Sequence, residues 1–155
     1  KENKKIFLDF PADTPIRINE DPLVTESLGL RPKSLYRGTD DILAILNNES
    51  EIRDMKPDFN KISKLDCRGL IISSKGDEVD FVSRFFGPKC GINEDPVTGS
   101  AHTLMVPYWS GILKKRKFNV QQLSTRAGYL ECMYVNDRVL IGGESYRYMQ
   151  GIINI

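Results

Sequence analysis

The spacing of hydrophobic and polar residues predicts short, mixed elements at the start of the chain. Alternation indicates a strand at 5–10, and a second apolar stretch indicates a strand at 34–37. Between them, 21–28 is predicted to be a helix, because Asp21 can cap it and Pro22 suits its first position. The first part of the chain therefore combines strands with a short helix.

The next apolar stretches are less uniform. The run at 41–46 fits either a strand or a helix, because a short apolar run cannot be assigned by its period alone. Residues 49–55 and 58–65 have helical spacing. Residues 69–74 and 79–86, on either side of a polar turn with a glycine, predict a hairpin.

The last part of the chain predicts strands almost without interruption. Turn residues separate these segments, and Gly, Asn and Asp favour the tight turns of hairpins. The predicted strands are 118–124, 129–135, 138–141 and 146–153. Many strands, mostly antiparallel, together with one long apolar helix predict an α+β domain that occupies residues 1–155 as a single unit.

That helix is predicted at about 99–114, and it is apolar on nearly every side. A helix without a polar face either spans a membrane or lies at the centre of a core. This one is too short to cross a bilayer core of about 30 Å, and Pro107 interrupts its hydrogen bonds. We therefore expect strands to wrap around it as a barrel, and we expect no membrane-spanning segment.

A polar turn at 94–102 leads into this helix and contains the candidate chemistry. Thr98 is predicted to cap the helix, with its hydroxyl accepting a backbone N–H. Gly99 lets a ligand approach the backbone. The unpaired amides and positive end of a helix bind anions, so Thr98, Gly99, Ser100 and Ala101 are predicted to hold the carboxylate of a small substrate.

Composition removes several classes of function. The 22 Lys and Arg residues nearly balance the 21 Asp and Glu residues, which argues against nucleic-acid binding. One histidine excludes a multi-histidine metal site. Three cysteines without CxxC spacing argue against disulfides or zinc and favour a reducing, cytoplasmic compartment. Lys1 is not a methionine, and we expect a segment to precede it.

The longest motif identifies a family. The chain contains Ser-Arg-Phe-Phe-Gly-Pro at 83–88, Gly-Ile-Asn-Glu-Asp-Pro-Val-Thr-Gly-Ser-Ala-His at 91–102 and Pro-Tyr-Trp at 107–109. On these residues it resembles the phenazine-biosynthesis PhzF-like isomerases, relatives of diaminopimelate epimerase. The resemblance implies a two-lobe protein, each lobe being a strand-rich barrel around a central helix, of which this chain matches the C-terminal lobe only.

The resemblance also implies a chemistry. Asp95 and Ser100 match residues that assist proton transfer beside the substrate, while Gly99 and the adjoining amides match its carboxylate cradle. The implied reaction moves a proton on a small carboxylate-bearing substrate without metal or cofactor. The family's other lobe carries an acid/base glutamate and a Gly-His-Ala-Thr motif that this sequence lacks, so a second lobe is an expected partner.

The same residues also fit other interpretations. Asp95 and Ser100 also fit ordinary turn and capping residues. His102 is expected to be a hydrogen-bonded core residue, Arg84 to pair with a neighbouring carboxylate, and Cys90 to be a buried, inert thiol. The alternative function is a non-catalytic lobe that binds a small carboxylate or a protein. A lone lobe would expose an apolar wall, and we expect it to form a homodimer.

Overall fold

The computed structural model describes residues 4–153, and its main element is one sheet of nine strands. The strand order is β1-β9-β8-β7-β6-β5-β4-β3-β2. The strands are β1 (Lys4–Pro11), β2 (Ile16–Ile18), β3 (Ser34–Arg37), β4 (Asp41–Ile45), β5 (Gly69–Lys75), β6 (Phe81–Phe86), β7 (Lys117–Gln122), β8 (Gly128–Val135) and β9 (Arg138–Ser145). Six strand pairs are antiparallel, which agrees with the predicted α+β class.

The two parallel strand pairs determine where the helices lie. Parallel neighbours need a long crossover connection, and β4–β5 and β6–β7 are the parallel pairs. The first crossover contains α2 and α3, and the second contains α4. The helices are α1 (Pro22–Leu28), α2 (Glu49–Arg53), α3 (Phe59–Ile62) and α4 (His102–Leu113).

Each face of the sheet has its own hydrophobic core. On one face, α4 contributes Leu104, Met105 and Trp109 to a cluster that also contains Phe81 and Phe118. On the other face, side chains from α1, α2 and α3 pack against the sheet. The members of that second cluster include Val24, Leu28, Ile52, Ile62, Leu70, Ile72 and Phe86.

The presence of a hydrophobic core on each face of the sheet explains why hydrophobic and polar residues do not alternate at 41–46. All five residues of β4 are buried, because the strand lies between both cores. A strand buried on both faces is a continuous apolar run without alternation. The sequence could therefore not distinguish it from a short buried helix.

Two predicted features differ from the structure. The sheet is open over residues 4–153, with β1 and β2 as its edges, so a closed barrel is not confirmed. The strand predicted at 146–153 is absent from the described structure, where β9 ends at Ser145 and the following residues have no regular secondary structure. Alternation alone does not make a strand when no neighbouring strand supplies the hydrogen bonds.

The central helix is shorter than predicted. It runs over His102–Leu113 instead of 99–114. Its first bonds are of the tighter i to i+3 type, since the His102 and Thr103 amides donate to the Gly99 and Ser100 carbonyls at 3.0 and 3.1 Å. Ile112, which the pattern places on the apolar face, is 56% exposed near the C-terminal end of the helix.

Candidate functional site

The loop that carries Asp95 begins at the end of β6. The Asp95 amide donates to the Phe85 carbonyl at 3.1 Å, which fixes the loop against that strand. Arg84 binds both carboxylate oxygens of Glu94 through Nε and Nη2 at 2.6 and 2.9 Å. Arg84 also donates to the Met55 carbonyl at 2.8 Å. The expectation that Arg84 pairs with a neighbouring carboxylate is confirmed.

Buried polar side chains from β7 and the following turn hold the middle of the loop. Gln122 is fully buried, and its Oε1 accepts the Thr98 amide at 2.8 Å while its Nε2 donates to the Asp95 carbonyl at 2.7 Å. Ser124 donates to the Pro96 carbonyl at 2.6 Å. Satisfied buried polar groups of this kind make a loop rigid.

Thr98 connects this loop to the candidate acid/base. Its hydroxyl donates to Oδ2 of Asp95 at 2.6 Å, and Asp95 itself is half-buried. The predicted N-cap role of Thr98 is therefore wrong: the N-cap is Ala101, without a side-chain cap bond. Thr98 donates its hydroxyl to the Asp95 carboxylate and its amide to Gln122, so it has no donor left for a ligand.

The amides after Thr98 do have capacity for a ligand. Among residues 4–153, the amides of Gly99, Ser100 and Ala101 donate to no protein acceptor. Thr98 and Ala101 are buried, Gly99 is half-buried and Ser100 is exposed. A Cβ built on Gly99 meets no atom within 4 Å, so the backbone there borders open space. An anion has room at Gly99 and Ser100.

His102 supports the same turn from inside the core. It is fully buried, and its Nδ1 lies 2.9 Å from the Thr98 carbonyl. A carbonyl only accepts, so Nδ1 carries a proton. Nε2 has no hydrogen-bond partner among the described residues. Burial lowers the pKa of His102 to about 4, and the expectation of a hydrogen-bonded core histidine is confirmed.

Arg68 is a site residue that the sequence did not reveal. Its Nη2 donates to Ser100 Oγ at 3.2 Å, and its Nε donates to Oδ1 of Asp41 at 2.9 Å. Arg68 occurs in the chain 27 residues after Asp41 and 32 before Ser100, and no local pattern links them. The structure brings Arg68 beside Asp41 because β4 and β5 are parallel and Asp41 pairs with Gly69. Ser100 reaches Arg68 from the loop that follows β6, the strand paired with β5 on its other side.

Cys90 lies close to this group but differs from its prediction. It is exposed, and its thiol is 3.8 Å from the Arg68 carbonyl. The 3-10 turn Pro88–Cys90 places it on the surface instead of in the core. Cys67 and Cys132 are the buried cysteines.

Residues 4–153 contain neither a metal-binding cluster nor a membrane-spanning helix. Within that range, no group of three or more His, Cys, Asp or Glu side chains is placed to hold a metal ion. No described helix is both long and apolar enough to span a membrane. A cavity of about 600 Å³ is lined by Val97, Lys5 and Glu131, among others, but not by Asp95 or Ser100.

Comparison with known proteins gives consistent matches. The family model for phenazine biosynthesis-like protein matches residues 13–151. An uncharacterized isomerase of Pseudomonas aeruginosa is 39% identical over 155 residues, covering 100% of this chain and 59% of the relative. The chain thus spans about three fifths of the length of that relative.

Solved structures agree with the fold. A crystal structure of a phenazine biosynthesis protein of the PhzF family from Enterococcus faecalis superposes with a TM-score of 0.90 at 38% identity, covering 100% of this chain and 60% of that one. A putative phenazine biosynthesis PhzC/PhzF protein from Clostridium difficile superposes with a TM-score of 0.87 at 39% identity, with the same coverage.

Proposed function

Because this chain belongs to the phenazine biosynthesis-like protein family, we propose that it is one lobe of an isomerase that moves a proton on a small carboxylate-bearing substrate. Two matched relatives are named isomerases, which supports this class of reaction. The chain covers 59% and 60% of those relatives. In our proposal the remaining length supplies the second lobe and its acid/base glutamate.

One observation carries the proposal: free backbone amides lie next to a carboxylate that the fold holds in place. The amides of Gly99, Ser100 and Ala101 are unpaired within the described structure, and Asp95 is held by the Thr98 hydroxyl at 2.6 Å. Fixed donors stabilise negative charge that develops on a substrate. Asp95 is bonded to Thr98, the residue that precedes these amides, and in our proposal it acts on the carbon next to the bound carboxylate.

In this mechanism each residue has a separate role. Asp95 takes or returns the proton on carbon, in combination with the glutamate of the other lobe. Ser100 and the amides of Gly99 and Ala101 bind the substrate carboxylate and the charge that forms beside it. Thr98 contributes by orienting Asp95, since its own donors are engaged. As the family resemblance implies, the reaction needs no metal or cofactor.

The fold supports a central position for α4. Residues of β4 to β9 pack around it in one core, with Phe10 of β1 and Tyr36 of β3 at the margin of that core. We propose that the nine-stranded sheet and α4 form one lobe of the family's two-lobe architecture. The N-terminal end of α4 would then face the cleft between lobes. The homodimer stays a prediction.

The proposal is tested by solvent exchange in the full-length protein. Small amino and hydroxy carboxylic acids are incubated with it in D₂O, and loss of the C–H signal next to the carboxylate is followed by NMR. Wild type should exchange at least one of these acids. Asp95→Asn should slow that exchange by about 100-fold or more, in line with the contribution of a positioned acid/base.

Asp54→Asn is the matched control. Asp54 is exposed at the end of α2, which packs on the opposite face of the sheet from α4. The Asp54→Asn variant should therefore exchange the substrate proton at the wild-type rate. Unchanged exchange in Asp95→Asn would remove Asp95 from the mechanism. The alternative of a non-catalytic binding lobe is not favoured, since the matched relatives carry the name isomerase.

A further inference from the structure

Arg68 is held at the edge of the proposed site by a buried carboxylate. Asp41 is 4% exposed, and Arg68 binds it with Nε and Nη2, so both oxygens of the carboxylate are engaged. A bidentate pair of this kind fixes the guanidinium in orientation as well as in position. The hydrogen bonds that Arg68 donates to the Asp41 carboxylate raise the pKa of Arg68, so the guanidinium stays charged.

Phe85 supports the guanidinium from below. The Arg68 Cζ lies 5.5 Å from the centroid of the Phe85 ring, a cation–π contact. The ring fits there because Gly69 has no side chain: a Cβ at that position would lie 2.2 Å from Phe85 Cζ. Asp41 and Phe85 together leave Arg68 little freedom to turn.

The remaining proton on Nη2 points to Ser100. Each guanidinium Nη carries two N–H groups, and Nη2 uses one for Asp41 and the other for Ser100 Oγ at 3.2 Å. A hydroxyl has one proton and two lone pairs. The guanidinium occupies a lone pair of Ser100, and its positive charge turns the hydroxyl proton away from Arg68.

We propose that Arg68 is a positioning residue that fixes the Ser100 hydroxyl as a hydrogen-bond donor to the bound carboxylate. This inference rests on the proposed function, since it assumes that a carboxylate binds at the Gly99 and Ser100 amides. Ser100 donates to no acceptor among residues 4–153, so its proton is available for a ligand. Asp41, Arg68 and Ser100 then form a chain from the buried start of β4 to the ligand.

Lysine cannot replace arginine in this arrangement. The guanidinium binds two oxygens of Asp41 and the Ser100 hydroxyl through a rigid planar fork, whereas an ammonium is a single point charge on a flexible stem. Arg68→Lys therefore keeps the positive charge but loses the planar fork that binds Asp41 and Ser100 together. This separates a positioning role from simple electrostatic attraction.

The test is a double-mutant cycle on acetate binding to the full-length protein. Binding is followed by the NMR shift of the Gly99 amide in wild type, Arg68→Lys, Ser100→Ala and the double variant. Each single variant should weaken acetate binding about tenfold, the loss expected for one charge-assisted hydrogen bond. The double variant should bind no more weakly than either single variant, because both remove the same interaction.

Arg53→Lys is the matched control. Arg53 also pairs with a buried carboxylate, that of Glu49, but the pair lies on α2. Its acetate affinity should equal that of wild type. If Arg68→Lys does not fold, the NMR signal of the Arg68 Nε–H group is measured instead of that variant. Acetate should shift this signal in wild type and should not shift it in Ser100→Ala.

The outcomes are distinct. Additive losses in the double variant, an unchanged affinity in Arg68→Lys, or an equal Nε shift in Ser100→Ala would each overturn the positioning role while leaving the proposed site intact. If wild type shows no acetate-dependent shift at Gly99, the proposed carboxylate site is overturned, and this inference with it. Non-additive losses with an unaffected Arg53→Lys support the role of Arg68.

Discussion

The side chain of Gln122 binds both ends of the segment from Asp95 to Thr98. Its Oε1 accepts the Thr98 amide at 2.8 Å, and its Nε2 donates to the Asp95 carbonyl at 2.7 Å. Gln122 is the last residue of β7 and is fully buried. The position of the candidate acid/base is therefore set by a strand that lies far from it in the sequence.

Replacing Gln122 should destabilise the protein. Gln122→Met keeps a similar size but leaves the Thr98 amide and the Asp95 carbonyl without their partner. Two unpaired buried groups cost roughly 2–4 kcal/mol of unfolding free energy. Urea unfolding measures the change, with Gln121→Met, the half-buried neighbour on β7, as control. Equal stability of the two variants would contradict the role of Gln122.

Stability should fall at mildly acidic pH because of His102. Burial lowers its pKa to about 4 in the folded protein, whereas a histidine in an unfolded chain has a pKa of about 6.5. Between these values the unfolded chain binds a proton that the folded chain does not, so stability is present above pH 6.5 and is lost as the pH falls towards 4. Between pH 7 and 5 the loss should be about 2 kcal/mol.

The control for this pH dependence is His102→Asn. Its side-chain N–H can replace Nδ1 as donor to the Thr98 carbonyl, and no other histidine is present in the chain. Urea unfolding at pH 5, 6 and 7 should show the loss in wild type and a nearly flat profile in the variant. A loss of the same size in both proteins would exclude His102 as its source.

Gly69→Ala should be destabilising through a clash with Phe85. The added Cβ would lie 2.2 Å from the ring, and overpacking of a core site costs about 1–3 kcal/mol. Gly111→Ala is the matched control, since a Cβ there meets nothing within 4 Å and alanine favours the helix by about 0.5–1 kcal/mol. Thermal unfolding should show a lower Tm than wild type for Gly69→Ala but not for Gly111→Ala. The reverse order would refute the packing assigned to Phe85.

Thiol reactivity should distinguish the three cysteines. Burial raises the pKa of Cys67 to about 11 and that of Cys132 to about 12, so neither forms a thiolate near neutrality. Cys90 is exposed. Titration with Ellman's reagent at pH 8 should show one fast thiol in the folded protein and three in denaturant. Cys90→Ser should lose the fast phase, and a fast phase that persists in this variant would contradict the burial of the other two.

Part of the fold and of the site could be predicted from the sequence. The hairpin of β5 and β6 follows from two strand-like runs on either side of a turn with a glycine, and β7, β8 and β9 follow from the turn residues that separate them. Motif 91–102 identified the family, which the family model confirms. These features are local, so a single stretch of chain contains the information that specifies them.

The rest depends on contacts that are distant in sequence. Thr98 precedes an apolar helix as an N-cap would, but Asp95 and Gln122 compete for its hydroxyl and amide, and the helix begins only at His102. Arg68 precedes β5 and Ser100 follows β6, so the two meet only because these strands pair and the loop after β6 returns to Arg68. The Thr98–Gln122 and Arg68–Ser100 contacts join residues 24 and 32 positions apart, so neither has a local signal in the sequence.

The central claim is that the turn before α4 holds a small carboxylate, and amide NMR tests it most directly. The ¹⁵N-labelled chain is titrated with sodium acetate and, at equal ionic strength, with sodium chloride. Acetate should produce saturable shifts of the Gly99, Ser100 and Ala101 amides that chloride does not reproduce. Amides that remain unshifted by acetate, or that respond equally to both salts, would contradict the claim.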